Sequence, residues 1–151
     1  MLVVQSSIPS MNPESIEQAH AMETAVLELP QINITTWHTL HAGVYSRTIF
    51  MPKDSVVVGA VIKRSVNLVV SGHVIVSIGE DKAIEYIGYF NLTAQANRKQ
   101  VFIAKEDTYL TMYFATESKT IEDAENEFTD DVDKLISRHI DAINHVVITG
   151  V

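Results

Sequence analysis

The chain has 151 residues, 46% of them hydrophobic, which is length enough for one domain that buries a core of its own. Its 11 basic against 19 acidic residues leave a formal net charge of −8, and that balance argues against a general nucleic-acid role, because holding phosphates takes Lys and Arg. It contains no cysteine, which excludes disulfides, thiolate catalysis and Cys-held zinc or iron–sulfur sites.

In chain order, the first run from Met1 to Ser7 lacks a basic region and is short of the apolar length of a signal peptide. No apolar stretch approaches the roughly 20 residues that span a bilayer, so the expectation is a cytoplasmic protein without a membrane partner. Residues 1–30 form an N-terminal arm. Asn12-Pro13-Glu14 is a helix start, with Asn as cap and Pro in the first helical position. Ile16, Ala19, Met22 and Val26 follow at helical spacing as one apolar stripe, and Pro30 stops the helix.

Residues 31–116 are a run of short β-rich segments: Ile32–Trp37, Val44–Met51, Val56–Ile62, Val66–Val70, His73–Ile78, Ala83–Ile87, Val101–Ala104 and Tyr109–Ala115. Turn signals at Pro52-Lys53-Asp54, Ser71-Gly72, Gly79-Glu80-Asp81 and Lys105-Glu106-Asp107 separate many of them. Short strands with frequent turns indicate a sandwich or barrel, and runs that are apolar at most positions, such as Val56-Val57-Val58, suit strands covered on both faces. Residues 117–151 read as a helical segment. Thr120 and Asp123 fit a relaxed capping box. Thr129 would cap a second helix whose stripe is Val132, Leu135, Ile136, Ile140 and Ile143. The acidic residues between Glu117 and Asp133 are expected on a solvated face, and Val146–Val151 as a short extended end.

Between Gly43 and Thr116 the order of signals is Gly43-Val44-Tyr45-Ser46-Arg47, the Pro52 turn, Gly59, Asn67 through Gly72, and the late strand Thr111–Thr116. That layout resembles a small cupin, in particular the short single-domain cupin-like proteins of tailed bacteriophages. The resemblance implies a mainly β fold, a cupin-like double-stranded β-helix or jelly-roll barrel with flanking N- and C-terminal helices. It also implies two-fold self-association as a homodimer and, for a phage-encoded chain, the host cell cytoplasm. Metal-binding cupins carry His-x-His, a further His or Glu, and a last His on a late strand. The matching positions here hold Ala60, Ile62, Val66 and Phe114. None of these is a metal donor, so no metal and no cofactor is expected there.

Two other constellations carry chemistry. Tyr45 and Arg47 share a strand face, and together with Tyr109 they form a candidate ligand-binding set in which Arg47 clamps a carboxylate or phosphate. His38, His41 and His73 form an alternative metal set, although residues three apart on a strand point to opposite faces. Motifs for phosphate binding or for a serine nucleophile are missing from the sequence. The leading reading is therefore a non-enzymatic, metal-free accessory protein that binds a small molecule or a host protein. The alternatives are a minor virion or assembly component, and a metal-dependent cupin enzyme with a shifted His site.

Overall fold

A computed structural model describes residues 7–150. Residues 1–6, and with them most of the Met1–Ser7 run, lie outside the described residues, as does Val151. A first helix, α1 (Pro13–Leu27), leads into β1 (Thr35–His41), β2 (Val44–Met51), β3 (Val56–Val58), β4 (Val66–Gly79), β5 (Lys82–Ala94), β6 (Val101–Ala104) and β7 (Thr108–Ala115). Helix α2 (Ile121–Phe128), two 3-10 turns at Val132–Lys134 and Ile136–Arg138, and β8 (Ile143–Ile148) complete it. The protein is mainly β, with helices near both ends, as the sequence leads one to expect.

The strands form one sheet in the order β3-β6-β4-β7-β2-β1-β8, with β5 paired to β4 off that path. The sheet branches at β4, which pairs with three strands. Its first half, Asn67–Ser71, pairs with β7, while Val74–Val76 pair with β6, and the whole strand pairs with β5. The Ser71-Gly72 turn expected from sequence is therefore not a turn. Gly72 sits inside one continuous strand with φ +146°, at the point where β4 changes neighbours. A Cβ there would lie 2.5 Å from Thr108 Oγ1 and 2.6 Å from the Asp107 carbonyl oxygen, so glycine is required by close approach. Glu80 and Asp81, both with positive φ, make the tight turn into β5, which runs seven residues beyond the expected end at Ile87.

Alternation puts Tyr45, Arg47 and Met51 of β2 and Leu110, Met112 and Phe114 of β7 on the inner face. One hydrophobic cluster joins these, Arg47 apart, to Ile8, Leu68, Val76, Phe102, Phe128 and Leu135. Helix α1 starts as expected, with the Asn12 side chain accepting from the Ser15 amide at 2.8 Å. Its inward face is rotated from the expected stripe: Ser15 and Ala19 are buried and Met22 is 47% exposed. An ion pair lies on this inward face. Glu23 turns toward the sheet to meet Lys99, whose Nζ donates to Glu23 Oε2 at 3.0 Å.

The C-terminal segment departs furthest from its sequence reading. Thr120 caps α2 by accepting from the Asp123 amide at 3.1 Å, as the capping box implies. The second helix does not form. Leu135 between the two 3-10 turns is extended, and β8 pairs in parallel with β1 from Thr35–Ile143 to Leu40–Ile148. Leu135 is buried, but Ile140 is fully exposed and Ile143 is 45% exposed. Of the expected stripe only its N-terminal part, at Val132, Leu135 and Ile136, packs on the core. The acidic run is not all solvated either, because Glu125 is buried.

Candidate functional site

The inner face encloses a cavity of about 110 Å³ between β2, β3, β4, β6, β7 and the segment that follows α2. Its walls are mostly apolar: Ile49, Val57, Ile62, Leu68, Phe102, Leu110 and Met112 line the sheet side, and Phe128, Leu135 and Ile136 close the other. Val58, Gly59, Ala60 and Ile136 among the lining residues are only half-buried, so the cavity opens to the surface there. Four long polar side chains reach its lining: Arg47, Arg98, Gln100 and Lys134.

The three cations among them differ in how they are balanced. Arg47 Nη1 donates to Glu125 Oε2 and to Ser137 Oγ, both at 2.9 Å. Arg138 Nε donates to Glu125 Oε1 at 2.9 Å. Burial alone would push the Glu125 carboxyl up. Hydrogen bonds from Ser137 and Arg138 and the charges of Arg47 and Arg138 outweigh it and hold the group below its usual value. Lys134 pairs with Glu23 at 3.5 Å, and Lys99 behind the wall pairs with the same carboxylate. Arg98 is 3% exposed and, among the described residues, pairs with no carboxylate. Its Nε donates to the Gln95 carbonyl at 3.0 Å and its Nη1 to Gln100 Oε1 at 2.9 Å. Its Nη2 is buried without a partner in the protein. Burial pushes the guanidinium down to about 10, which still leaves it charged at neutral pH.

The structure brings together part of what the sequence singled out. Tyr45 and Arg47 both point inward as a pair, but Tyr45 is fully buried and does not line the cavity. Its hydroxyl lies 2.8 Å from His38 Nδ1. Tyr109 does not belong with them. It sits on the outer face, 48% exposed, in an aromatic row with Phe50 and Trp37, because odd-numbered residues of β7 point outward. The sequence missed Arg98 and Gln100. They fall in the polar run Asn97–Gln100 between two strands, where charged residues are ordinarily exposed.

The three histidines are not brought together. His38 is buried between Tyr45 and Asn144, with Nε2 2.7 Å from Asn144 Oδ1. The Asn144 amide nitrogen donates to the Ser137 carbonyl, so its oxygen faces the ring. His38 therefore carries its proton on Nε2 and accepts from the Tyr45 hydroxyl at Nδ1. His41 meets Thr149 on the surface, and His73 meets Glu85. Among the described residues no group of three His, Cys, Asp or Glu is placed to hold a metal ion. Ala60, Ile62, Val66 and Phe114 all belong to or pack against the core cluster. Ala60 and Ile62 line the cavity, while Val66 and Phe114 lie elsewhere in the core, Phe114 beneath the Arg64 guanidinium 4.2 Å from its ring centre. Those four side chains offer no donor atom, so they do not fit a metal.

No family model matches the sequence, and no curated protein matches it. Solved structures do match in shape. An RmlC-like cupin protein from Desulfovibrio desulfuricans is 16% identical over 59% of this chain and 91% of its own, with a TM-score of 0.46. A cupin superfamily protein from Desulfitobacterium hafniense is 10% identical over 62% and 86%, at 0.45. A cupin-2 domain containing protein from Shewanella frigidimarina is 9% identical over 66% and 98%, at 0.44. These are likenesses of fold at low identity, and they carry no activity, ligand or partner to this chain.

Proposed function

We propose that this chain is a non-catalytic, metal-free binding protein whose barrel interior holds a small organic molecule. The observation that carries the reading is the cavity itself, with apolar walls and a few polar groups at its lining, the usual make-up of a small-molecule site. Those polar groups are guanidinium, amide and ammonium, which bind and orient a ligand but do not exchange protons readily near neutral pH. The apolar side chains at 60 and 62 give a divalent ion no donor, and the Gln100 amide oxygen in the same lining is taken up by Arg98, so the ion would be held at a high desolvation cost. The resemblance of residues 43–116 to small cupin-like phage proteins supports, as part of the same proposal, an accessory role in an infected cell and two-fold self-association.

A second reading, a structural component that docks on a larger assembly, draws on the surface. The edge strand β8 carries Ile143, Val146, Val147 and Ile148, each between 45% and 57% exposed, and a sheet edge offers unpaired backbone to a partner. Native mass spectrometry of the purified chain, with a denatured control, separates the two. The binding reading expects added small-molecule mass that is lost on denaturation, on a particle of twice the 16.8 kDa chain mass. A ligand-free spectrum that stays ligand-free after incubation with small organic molecules shifts the assignment to the outer surface.

A further inference from the structure

Resting on the binding reading above, we infer that the ligand is a small aliphatic monocarboxylate, anchored by Arg98 with its hydrocarbon end against Ile62, Leu68 and Leu110. The inference stands on the contrast between Arg98 and its neighbours. Lys99, next in the chain, is wholly buried, but Glu23 and the Gly59 carbonyl satisfy its ammonium. Arg47, across the cavity, is matched by Glu125. Arg98 alone among these three has no anion, and its Nη2 lacks any acceptor in the protein. A buried unpaired guanidinium is costly, and an orphaned buried donor calls for a partner from outside the chain. A carboxylate is the acceptor that matches guanidinium geometry.

The walls and the size narrow the class. Beyond Arg98, Gln100 and the two cations already paired with carboxylates, Arg47 with Glu125 and Lys134 with Glu23, the side chains around the cavity are those of Ile, Leu, Val, Met, Phe and Ala. An inorganic phosphate presents acceptors in every direction and would leave most of them against hydrocarbon. A monocarboxylate has one polar end and one net charge, which equals the charge left uncompensated on Arg98. A dry cavity of roughly 150 Å³ takes benzene, so about 110 Å³, open on one side, takes a molecule no larger than benzene, with at most about six heavy atoms.

The test is calorimetric titration of the full chain with butyrate, with its neutral isostere butyramide, and with inorganic phosphate. Butyrate is expected to bind at least about tenfold more tightly than butyramide, the effect of one charge-assisted hydrogen bond, and more tightly than phosphate. Equal binding of butyrate and butyramide overturns the carboxylate anchor while leaving the cavity as a binding site. Tighter binding of phosphate overturns the monocarboxylate class, and no binding of any of the three overturns the binding reading as well. Arg98→Met is expected to bring the butyrate-to-butyramide ratio to about one while butyramide affinity stays within about twofold. A role in folding alone would leave that ratio unchanged. If Arg98→Met does not fold, Arg98→Lys, which keeps the charge but loses the planar fork, is expected to retain a reduced preference for butyrate, and an undiminished preference counts against the anchor.

Discussion

Two buried residues tie the stability of this protein to pH. His38 is held neutral because burial lowers its affinity for a proton, against the pull of the Asn144 hydrogen bond. Its folded value lies below the ordinary 6.5, so the stability it contributes is complete above that pH and is lost as the pH falls through the folded value. Glu125 is likewise held below the ordinary 4.5, so its contribution is complete above that value and is lost at lower pH still. The thermal midpoint is therefore expected to decline in two stages, one beginning below about 6.5 and one below about 4.5. His38→Gln flattens the first stage, and Glu125→Gln lessens the second, to which Glu127, also held below 4.5, contributes, as read by thermal melts across pH. Glu125→Gln also leaves Arg47 buried without its counter-ion and is expected to cost about 3 kcal/mol at neutral pH. A loss below about 1 kcal/mol would mean that solvent reaches this cluster. At this scale the sequence was partly legible: Tyr45 and Arg47 share an inward face as their spacing implies, but the partner of Arg47 is Glu125, 78 positions away. Arg98 and Lys99 were not legible, since only the fold decides which charged residues of a polar run are buried.

Elements were legible where the local signal and the tertiary demand agree. Strand β2 matches its sequence bounds, and Thr120 and Asn12 cap their helices as their residue types imply. The C-terminal stripe misled because its spacing serves two structures. Val132, Leu135 and Ile136 reach the core from 3-10 turns, while Ile143 onward adds a strand to β1. The two arrangements are separable by mutation. Leu135→Ala is expected to cost about 3 kcal/mol, as a buried Leu does, whereas Ile140→Ala stays within about 0.5 kcal/mol. A continuous helix would make both substitutions costly. Gly72 and Gly88 face each other across β4 and β5, and both have positive φ, yet only Gly72 is crowded. Gly72→Ala is expected to destabilise by at least about 2 kcal/mol and clearly more than Gly88→Ala, which meets nothing within 4 Å. Denaturant melts of the pair check this, and equal losses would place the cost in the backbone conformation alone.

At the scale of the molecule, the mainly β architecture was legible from strand-length apolar runs and turn residues, because both reflect local backbone chemistry. The cavity was not. It is made by side chains from five strands, their connecting loops, α2 and the segment after it, and no spacing along the chain encodes that meeting. No helix of the described residues is long and apolar enough to cross a membrane. Exposed apolar side chains lie on the outside of β5, at Ile87 and Tyr89, and along β8, and these are the surfaces through which the proposed self-association would run. Whether the inside or the outside of the barrel is the working surface is decided most directly by a methyl-resolved NMR titration with butyrate. The expected result is saturable shifts of the Ile62, Leu68, Leu110 and Leu135 methyls, with Ile87, Val146 and Val147 unmoved. Shifts confined to the outer set, or none at saturating ligand, would contradict a binding site inside the barrel.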